Sequence, residues 1–170
     1  MGGGLLLLCL QNDFMEWGSV GVAGADAKVA KANALMETYD VVIAVMDWHP
    51  ASHVSFAANH PWRKPNQIIE VDEKPMKLWT THAVQDTFGA ELAMELNTQR
   101  IDKIIKKGGD EQVECFSPFF DELGEKASDL EAFLRSKGIT QLSILGEPED
   151  HDVKITAEHA ISLGFEVTML

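Results

Sequence analysis

Short apolar runs alternate with segments of helical periodicity along this chain of 170 residues. Helices placed between strands are typical of parallel crossovers, so the alternation predicts a parallel α/β sheet covered by helices on both faces. Strands are predicted at residues 5–10, 41–46, 68–71, 101–105, 142–145 and 165–170. Helices are predicted at residues 25–37, 85–96, 126–137 and 152–163. The expected architecture is one three-layer α/β/α domain over residues 1–170, with a six-stranded, mainly parallel sheet.

Polar side chains follow four of the predicted strands, at the point where each strand ends. These polar segments cover residues 9–14, 47–49, 107–110 and 146–152. In open α/β sheets, ligands bind outside the carboxyl ends of the strands, where the strand order reverses. The sequence therefore predicts a ligand site built from these four segments.

Composition narrows the class of ligand. The chain has 14 Lys and Arg against 27 Asp and Glu, a formal net charge of −13, which argues against nucleic acid or an anionic membrane as partner. A small molecule is expected instead. No apolar run approaches the ~20 residues that a membrane span needs, and no secretory signal is evident, so a cytoplasmic protein is expected. The two cysteines, Cys9 and Cys115, fit a reducing compartment.

A carboxylate and several imidazoles cluster in the segment that follows the second predicted strand. Asp47, His49 and His53 lie within seven residues, and His82 follows in the next polar segment. One carboxylate with imidazoles suits a borderline divalent metal such as Zn²⁺, Fe²⁺ or Mn²⁺. Spacing alone leaves two interpretations open, a metal site or a surface loop with scattered histidines.

Four sequence motifs resemble those of nicotinamidases and pyrazinamidases, members of the isochorismatase-like cysteine hydrolases. The motifs are Cys-Leu-Gln-Asn-Asp-Phe at 9–14, Asp-Trp-His-Pro-Ala-Ser-His at 47–53, Lys-Gly-Gly-Asp at 107–110 and Gly-Glu-Pro-Glu-Asp-His-Asp-Val at 146–153. The resemblance covers essentially the whole chain. It implies that the metal is bound by Asp47, His49, His53 and His82, and that Lys107 is the middle member of an Asp-Lys-Cys catalytic triad. It also implies that Phe14 and Trp79 flank the ring of an aromatic carboxamide such as nicotinamide.

The two other members of the triad stand in exchanged positions. The family motifs are Asp-x-Gln-Asn-Asp-Phe and Gly-x-Ala-Thr-Asp-x-Cys-Val, so Cys9 stands where the resemblance places the acid, and Asp152 where it places the nucleophile. The family thiolate benefits from a helix N-terminus, which lowers its pKa. A carboxylate there would have to form a high-energy mixed anhydride to attack an amide.

Pro148 is a second departure from the family pattern. The family has Ala at this position, and the N–H of that Ala is one of two donors that stabilise the reaction's oxyanion. Proline has no N–H to donate. Since relatives hold a cis peptide here, the Glu147–Pro148 bond is predicted to be cis. Together with Gln11, Phe14 and Trp79, Pro148 is predicted to line the substrate site.

The leading hypothesis is a nicotinamidase-like protein that binds a divalent metal, with zinc the first choice, and hydrolyses amides poorly or not at all. One alternative is a working amidase with a reversed triad of Cys9, Lys107 and Asp152. The other is a hydrolase in which metal-bound water attacks and Asp152 takes the proton. Most relatives continue past the last predicted strand, which leaves a sheet edge or face short of cover here, so self-association into a homo-oligomer is also expected.

Overall fold

A computed structural model describes residues 3–170 of the chain. In chain order the strands are β1 (Gly4–Leu8), β2 (Val41–Asp47), β3 (Ile68–Val71), β4 (Lys74–Lys77), β5 (Lys103–Lys107), β6 (Gln141–Gly146) and β7 (Glu166–Met169). Five of them form one sheet in the order β5-β2-β1-β6-β7, and each neighbouring pair is parallel. The prediction of a parallel α/β sheet is confirmed.

The two central strands show why this sheet needs cover on both faces. Every residue of β1 and of β2 is buried, which is the pattern of a parallel sheet with both faces packed. Their sequences, Gly-Leu-Leu-Leu-Leu and Val-Val-Ile-Ala-Val-Met-Asp, supply the unbroken apolar surface that such packing requires. The core of the molecule therefore lies on either side of β1 and β2.

Three helices accompany the sheet: α1 (Ala25–Met36), α2 (Leu130–Ser136) and α3 (Lys154–Ser162). All three were predicted, although α2 is shorter than expected. The buried residues of α1 are Ala25, Val29, Ala32 and Met36, a single stripe at helical spacing. The chain enters α3 through a π-helical turn, Glu149–Val153, so Asp152 lies in this wider turn and not at the start of the α-helix.

The fourth predicted helix, over residues 85–96, is wrong. This segment contains only a short 3₁₀ turn, Phe88–Ala90, and its backbone pairs with the chain that leaves β1. The N–H of Asn12 donates to the Glu91 carbonyl, and the N–H of Ala93 donates to the Leu10 carbonyl. Pairing with a distant segment has therefore replaced the local hydrogen bonds of a helix, which periodicity cannot anticipate.

The predicted count of six strands in the sheet is also wrong. Ile68–Val71 is a strand, but it pairs antiparallel with β4 in a separate hairpin. Asp72 and Glu73 connect the two strands with φ of 49° and 63°, the positive values of a two-residue hairpin turn. Residues of β3 alternate between exposed and half-buried, so this strand could not have served inside a sheet covered on both faces.

The sheet order places a switch point between β1 and β6. From β1 the chain adds β2 and then β5 on one side, and β6 and β7 on the other. Ligands bind at such a reversal, outside the carboxyl ends of the strands. Cys9 and the 146–152 segment flank this point. Within residues 3–170, no helix is long and apolar enough to cross a membrane.

Candidate functional site

A cavity of about 280 Å³ opens at the carboxyl ends of the strands, and we call it the switch-point cavity. Its lining residues are Phe14, Val20, Asp47, His49, Pro65, Asn66, Trp79, Thr80, His82, Lys107, Glu114, Cys115, Phe116, Pro148 and Asp152. Most of the predicted site residues line this one cavity. A second cavity of about 320 Å³ lies against the β3–β4 hairpin, but none of the predicted catalytic or metal residues lines it.

Asp47 ends β2 and is fixed in place by the side chain of Gln11. The Gln11 amide donates to the carbonyls of Asp47 and Ala90, and its oxygen accepts from the N–H of Asp47. Gln11 is fully buried, and these three bonds occupy its amide. In the structure, Gln11 therefore holds the backbone of Asp47 in place. The predicted contact between Gln11 and a substrate stays a prediction.

Asp47, His49 and His82 bring ligand atoms together at the wall of the cavity. One atom from each lies within 4.8 Å of the other two, and the Nε2 atoms of both imidazoles are 3.9 Å from Asp47 Oδ2. His49 Nδ1 contacts the Gly108 carbonyl at 2.8 Å, and His82 Nδ1 contacts the Thr80 carbonyl at 2.7 Å. A carbonyl at Nδ1 favours the tautomer whose Nε2 is free to accept a metal.

The electrostatics of this group also suit a metal. Burial lowers the pKa of His49 to about 4, so its imidazole is neutral at pH 7, the form that binds metals. Burial alone would raise the pKa of Asp47, but neighbouring positive charge, above all the Lys107 ammonium, lowers it. A carboxylate and imidazole nitrogens are ligands of the type that Zn²⁺, Fe²⁺ or Mn²⁺ prefers.

His53, the fourth predicted ligand, lies beside this group but not in it. Its ring is tilted against that of His49, with centroids 4.6 Å apart and 51° between the ring planes. Its two nitrogens face other partners: Nδ1 contacts Ser55 Oγ at 2.8 Å, and Nε2 contacts the Val113 carbonyl at 3.3 Å. The structure therefore brings together three of the four predicted metal ligands.

Lys107 ends β5 at the centre of the cavity floor. Its Nζ contacts Asp47 Oδ1 at 2.5 Å, the Cys115 carbonyl at 2.9 Å and Asp152 Oδ2 at 3.0 Å. Burial opposes the ammonium charge, but the two carboxylates outweigh burial and raise the pKa of Lys107 well above its usual value. Lys107 is therefore charged at pH 7, and its ammonium group joins Asp47 to Asp152.

Asp152 faces the same cavity from the other side of the switch point. Its Oδ2 accepts from Lys107, and its Oδ1 lies 2.9 Å from His151 Nδ1. Pro148, at the start of the π-helical turn, lines the cavity next to it. The Glu147–Pro148 bond is cis, as predicted.

Cys9, in contrast, lies behind the cavity wall. It is fully buried and does not line the cavity, although its sulfur lies within 4.8 Å of carboxylate oxygens of Asp47 and Asp152. Burial and the charge of Asp47 raise the pKa of the Cys9 thiol well above its usual value. A thiol in this position is protonated and shielded, unlike a reactive cysteine.

Seven lining residues were not identified from the sequence, among them three consecutive ones: Glu114, Cys115 and Phe116. Glu114 is buried and accepts from the Trp79 indole N–H at 3.0 Å, and burial raises its pKa to about 7. Burial likewise raises the pKa of Cys115 to about 11. Their position just after the 107–110 motif was the available signal, because the loop that leaves a strand end stays near the ligand crevice.

Fold and cavity together define an α/β protein with a cavity at the carboxyl edge of a parallel sheet, the place where such folds bind small ligands. The chain belongs to the isochorismatase family, whose isochorismatase domain matches residues 4–170. It is 36% identical to the nicotinamidase of Escherichia coli K12 over 170 residues, which cover 98% of this chain and 79% of that relative.

Solved structures agree with this assignment. The nicotinamidase/pyrazinamidase of Acinetobacter baumanii superposes with a TM-score of 0.94 at 33% identity, covering 99% of this chain and 81% of that one. The pyrazinamidase of Pyrococcus horikoshii in complex with zinc superposes with a TM-score of 0.77 at 28% identity, covering 98% and 82% of the two chains.

Proposed function

We propose that this chain binds a divalent metal ion and an aromatic carboxamide such as nicotinamide in the switch-point cavity, and that it hydrolyses the amide poorly or not at all. The nicotinamidase relatives support the ligand class. One observation supports the proposal that hydrolysis is weak or absent. The side chain that faces the cavity beside Lys107 from the β6 end is the carboxylate of Asp152, and not a thiol.

We infer that Asp152 occupies the place of the family nucleophile and Cys9 that of the family acid. The order of the motif around residues 146–153 supports the first assignment, and the position of Cys9 directly after β1 supports the second. A carboxylate held by Lys107 is a weak nucleophile, and its attack on an amide would form an anhydride that is less stable than the amide. Pro148 also withholds a backbone donor, and the loss of one oxyanion donor costs about 2.7–4 kcal/mol of transition-state stabilisation.

The metal would be held by Asp47, His49 and His82, with His53 supporting the ring of His49. The zinc complex of the Pyrococcus pyrazinamidase favours zinc, and the ligand types also accommodate iron or manganese. When bound, the ion would supply Lewis acidity and a point to which ligand atoms or water attach. Phe14 and Trp79 line the cavity as aromatic walls for the ring of the ligand.

A second function is favoured by the common location of the metal group and Asp152. Asp47 and Asp152 both line the cavity, and Lys107 bridges them. Asp152 could serve there as a general base that takes the proton when water attacks the amide carbonyl. The reversed triad has less support, because the Cys9 thiol is fully buried and its pKa is raised.

Ammonia release from nicotinamide, with zinc, manganese or iron added, distinguishes the three functions. The proposal predicts that calorimetry detects nicotinamide binding while ammonia release stays at the uncatalysed level. Ammonia release that Cys9→Ser abolishes would support the reversed triad. Release that is lost with a chelator but unaffected by Cys9→Ser would support metal-bound water as the nucleophile.

A further inference from the structure

We propose that Asp152 makes the switch-point cavity selective for ligands whose exocyclic group donates hydrogen bonds, so that an amidinium binds best, a carboxamide less well and a carboxylate worst. This inference rests on the proposed function, because it takes the switch-point cavity to be the ligand site. It adds a class of ligand, the amidinium compounds, that the activity of the relatives does not imply.

Among the described residues that line the cavity, Lys107 is the one lysine or arginine, and it has no donor left for an anionic ligand. An ammonium has three N–H donors. Within the described residues, three acceptors already take them: Asp47 Oδ1, Asp152 Oδ2 and the carbonyl of Cys115. A ligand carboxylate would therefore have to displace one of these buried contacts to reach the positive charge.

Asp152 has acceptor sites left over. An ionised carboxylate offers about four lone-pair sites. Within residues 3–170, one is used by Lys107 and one by His151, on different oxygens. Each oxygen can therefore accept one further bond, and the two parallel N–H groups of an amidinium match a carboxylate in this way. The single NH₂ of a carboxamide supplies fewer donors, and a carboxylate supplies none.

The balance of charge around the cavity points in the same direction. Lys107 compensates one of its two carboxylate partners, so Asp47, Lys107 and Asp152 together carry one negative charge. Besides Lys107, the titratable neighbours of Asp152 are the half-buried His151 and the buried thiol of Cys9, and neither brings a fixed positive charge. The aromatic faces of Phe14, Trp79 and Phe116 accept a cation as well as a neutral ring.

Benzamidine, benzamide and benzoate provide a matched set of probes, because they share one planar shape and differ in charge and donors. Their affinities can be measured by calorimetry on the full chain, as isolated and after dialysis against a chelator. We expect benzamidine to bind roughly tenfold or more tightly than benzoate, with benzamide between them. Asp152→Asn keeps the size of the side chain and removes its charge.

The deciding quantity is the change in the benzamidine-to-benzoate affinity ratio between native protein and Asp152→Asn, since any contribution of a bound metal is common to both. We expect the ratio to fall roughly tenfold in the variant. Asp150→Asn, at an exposed carboxylate two residues away, is the control and should leave the ratio unchanged.

Two failures can be told apart. If nicotinamide and all three probes fail to bind native protein, the proposed function is wrong. If nicotinamide binds, but benzoate equals or exceeds benzamidine in native protein, or the ratio is the same in Asp152→Asn, the selectivity inference is overturned and the proposed function stands.

Discussion

Single side chains decide which of the predicted ligands can reach a metal. The sequence predicted all four residues as metal ligands without ranking them, because each has a suitable ligand atom and lies in a polar segment. These residues are Asp47, His49, His53 and His82. The structure separates them through their neighbours. His49 and His82 turn Nδ1 to backbone carbonyls, whereas His53 uses both nitrogens on Ser55 and Val113. Gly108 and Val113 lie 59 and 60 residues from the histidines that they contact, so the motif alone could not distinguish the three histidines.

Gly108 is the neighbour that His49 depends on most. It has φ of 75°, and a Cβ atom built on it would lie 2.5 Å from His49 Cε1. Gly108→Ala should therefore displace the ring and break its hydrogen bond to the Gly108 carbonyl. We expect metal affinity to fall roughly 10- to 100-fold, the usual cost of losing a group that orients a metal ligand. Competition with a chromophoric chelator measures it.

Gly109→Ala is the matched control for this prediction. A Cβ atom at Gly109 would meet nothing nearer than 3.8 Å. The control should bind metal like the native protein. The role of Gly108 would be contradicted if both variants lost metal affinity equally, or if neither variant lost any.

Among the secondary-structure elements, the strands of the parallel sheet were predicted better than the segments that connect them. The apolar runs of β1 and β2 and their polar ends were recognisable because a buried parallel strand needs continuous apolar residues. The segment over residues 85–96 and strand β3 were misplaced, because their partners are distant in sequence. Long-range pairing leaves no local periodicity by which it can be detected.

Gln11 is the side chain that ties the ends of β1 and β2 to the 85–96 segment. Its three hydrogen bonds go to backbone groups of Asp47 and Ala90. Gln11→Leu would leave these buried groups unpaired, at about 1–3 kcal/mol for each group left without a partner. We expect the free energy of unfolding to fall by about 3 kcal/mol or more in urea titration.

Gln141→Leu is the control, since Gln141 is exposed and bonds only to an exposed glutamate, Glu166. Its free energy of unfolding should stay within about 0.5 kcal/mol of the native value. A Gln11→Leu protein as stable as the control would refute the support role.

At the scale of the whole molecule, Glu114 should make stability depend on pH. Its pKa is about 7 in the folded state against 4.5 ordinarily, because the side chain is buried. Between pH 4.5 and 7 the unfolded chain releases a proton that the folded chain keeps, so the contribution of Glu114 to the free energy of unfolding falls as pH rises through this window. The full loss is about 3 kcal/mol above pH 7, at about 1.4 kcal/mol per pKa unit.

Glu114→Gln removes this titration and keeps an acceptor for Trp79. Urea midpoints of both proteins at pH 5 and pH 8 test the prediction. The native protein should lose more stability than the variant between the two values. Parallel behaviour of the two proteins would mean that Glu114 titrates normally.

We propose that this cavity binds an amide without hydrolysing it, because Asp152 and Pro148 stand where the family pattern has a thiol and a backbone donor. The most direct measurement is the rate of ammonia release from nicotinamide by native protein, by Cys9→Asp/Asp152→Cys, and by the same variant with Pro148→Ala added. We predict no release by native protein, little by the double variant and a clear gain in the triple variant. Turnover by native protein near the ~10 per second of an ordinary enzyme would contradict the claim.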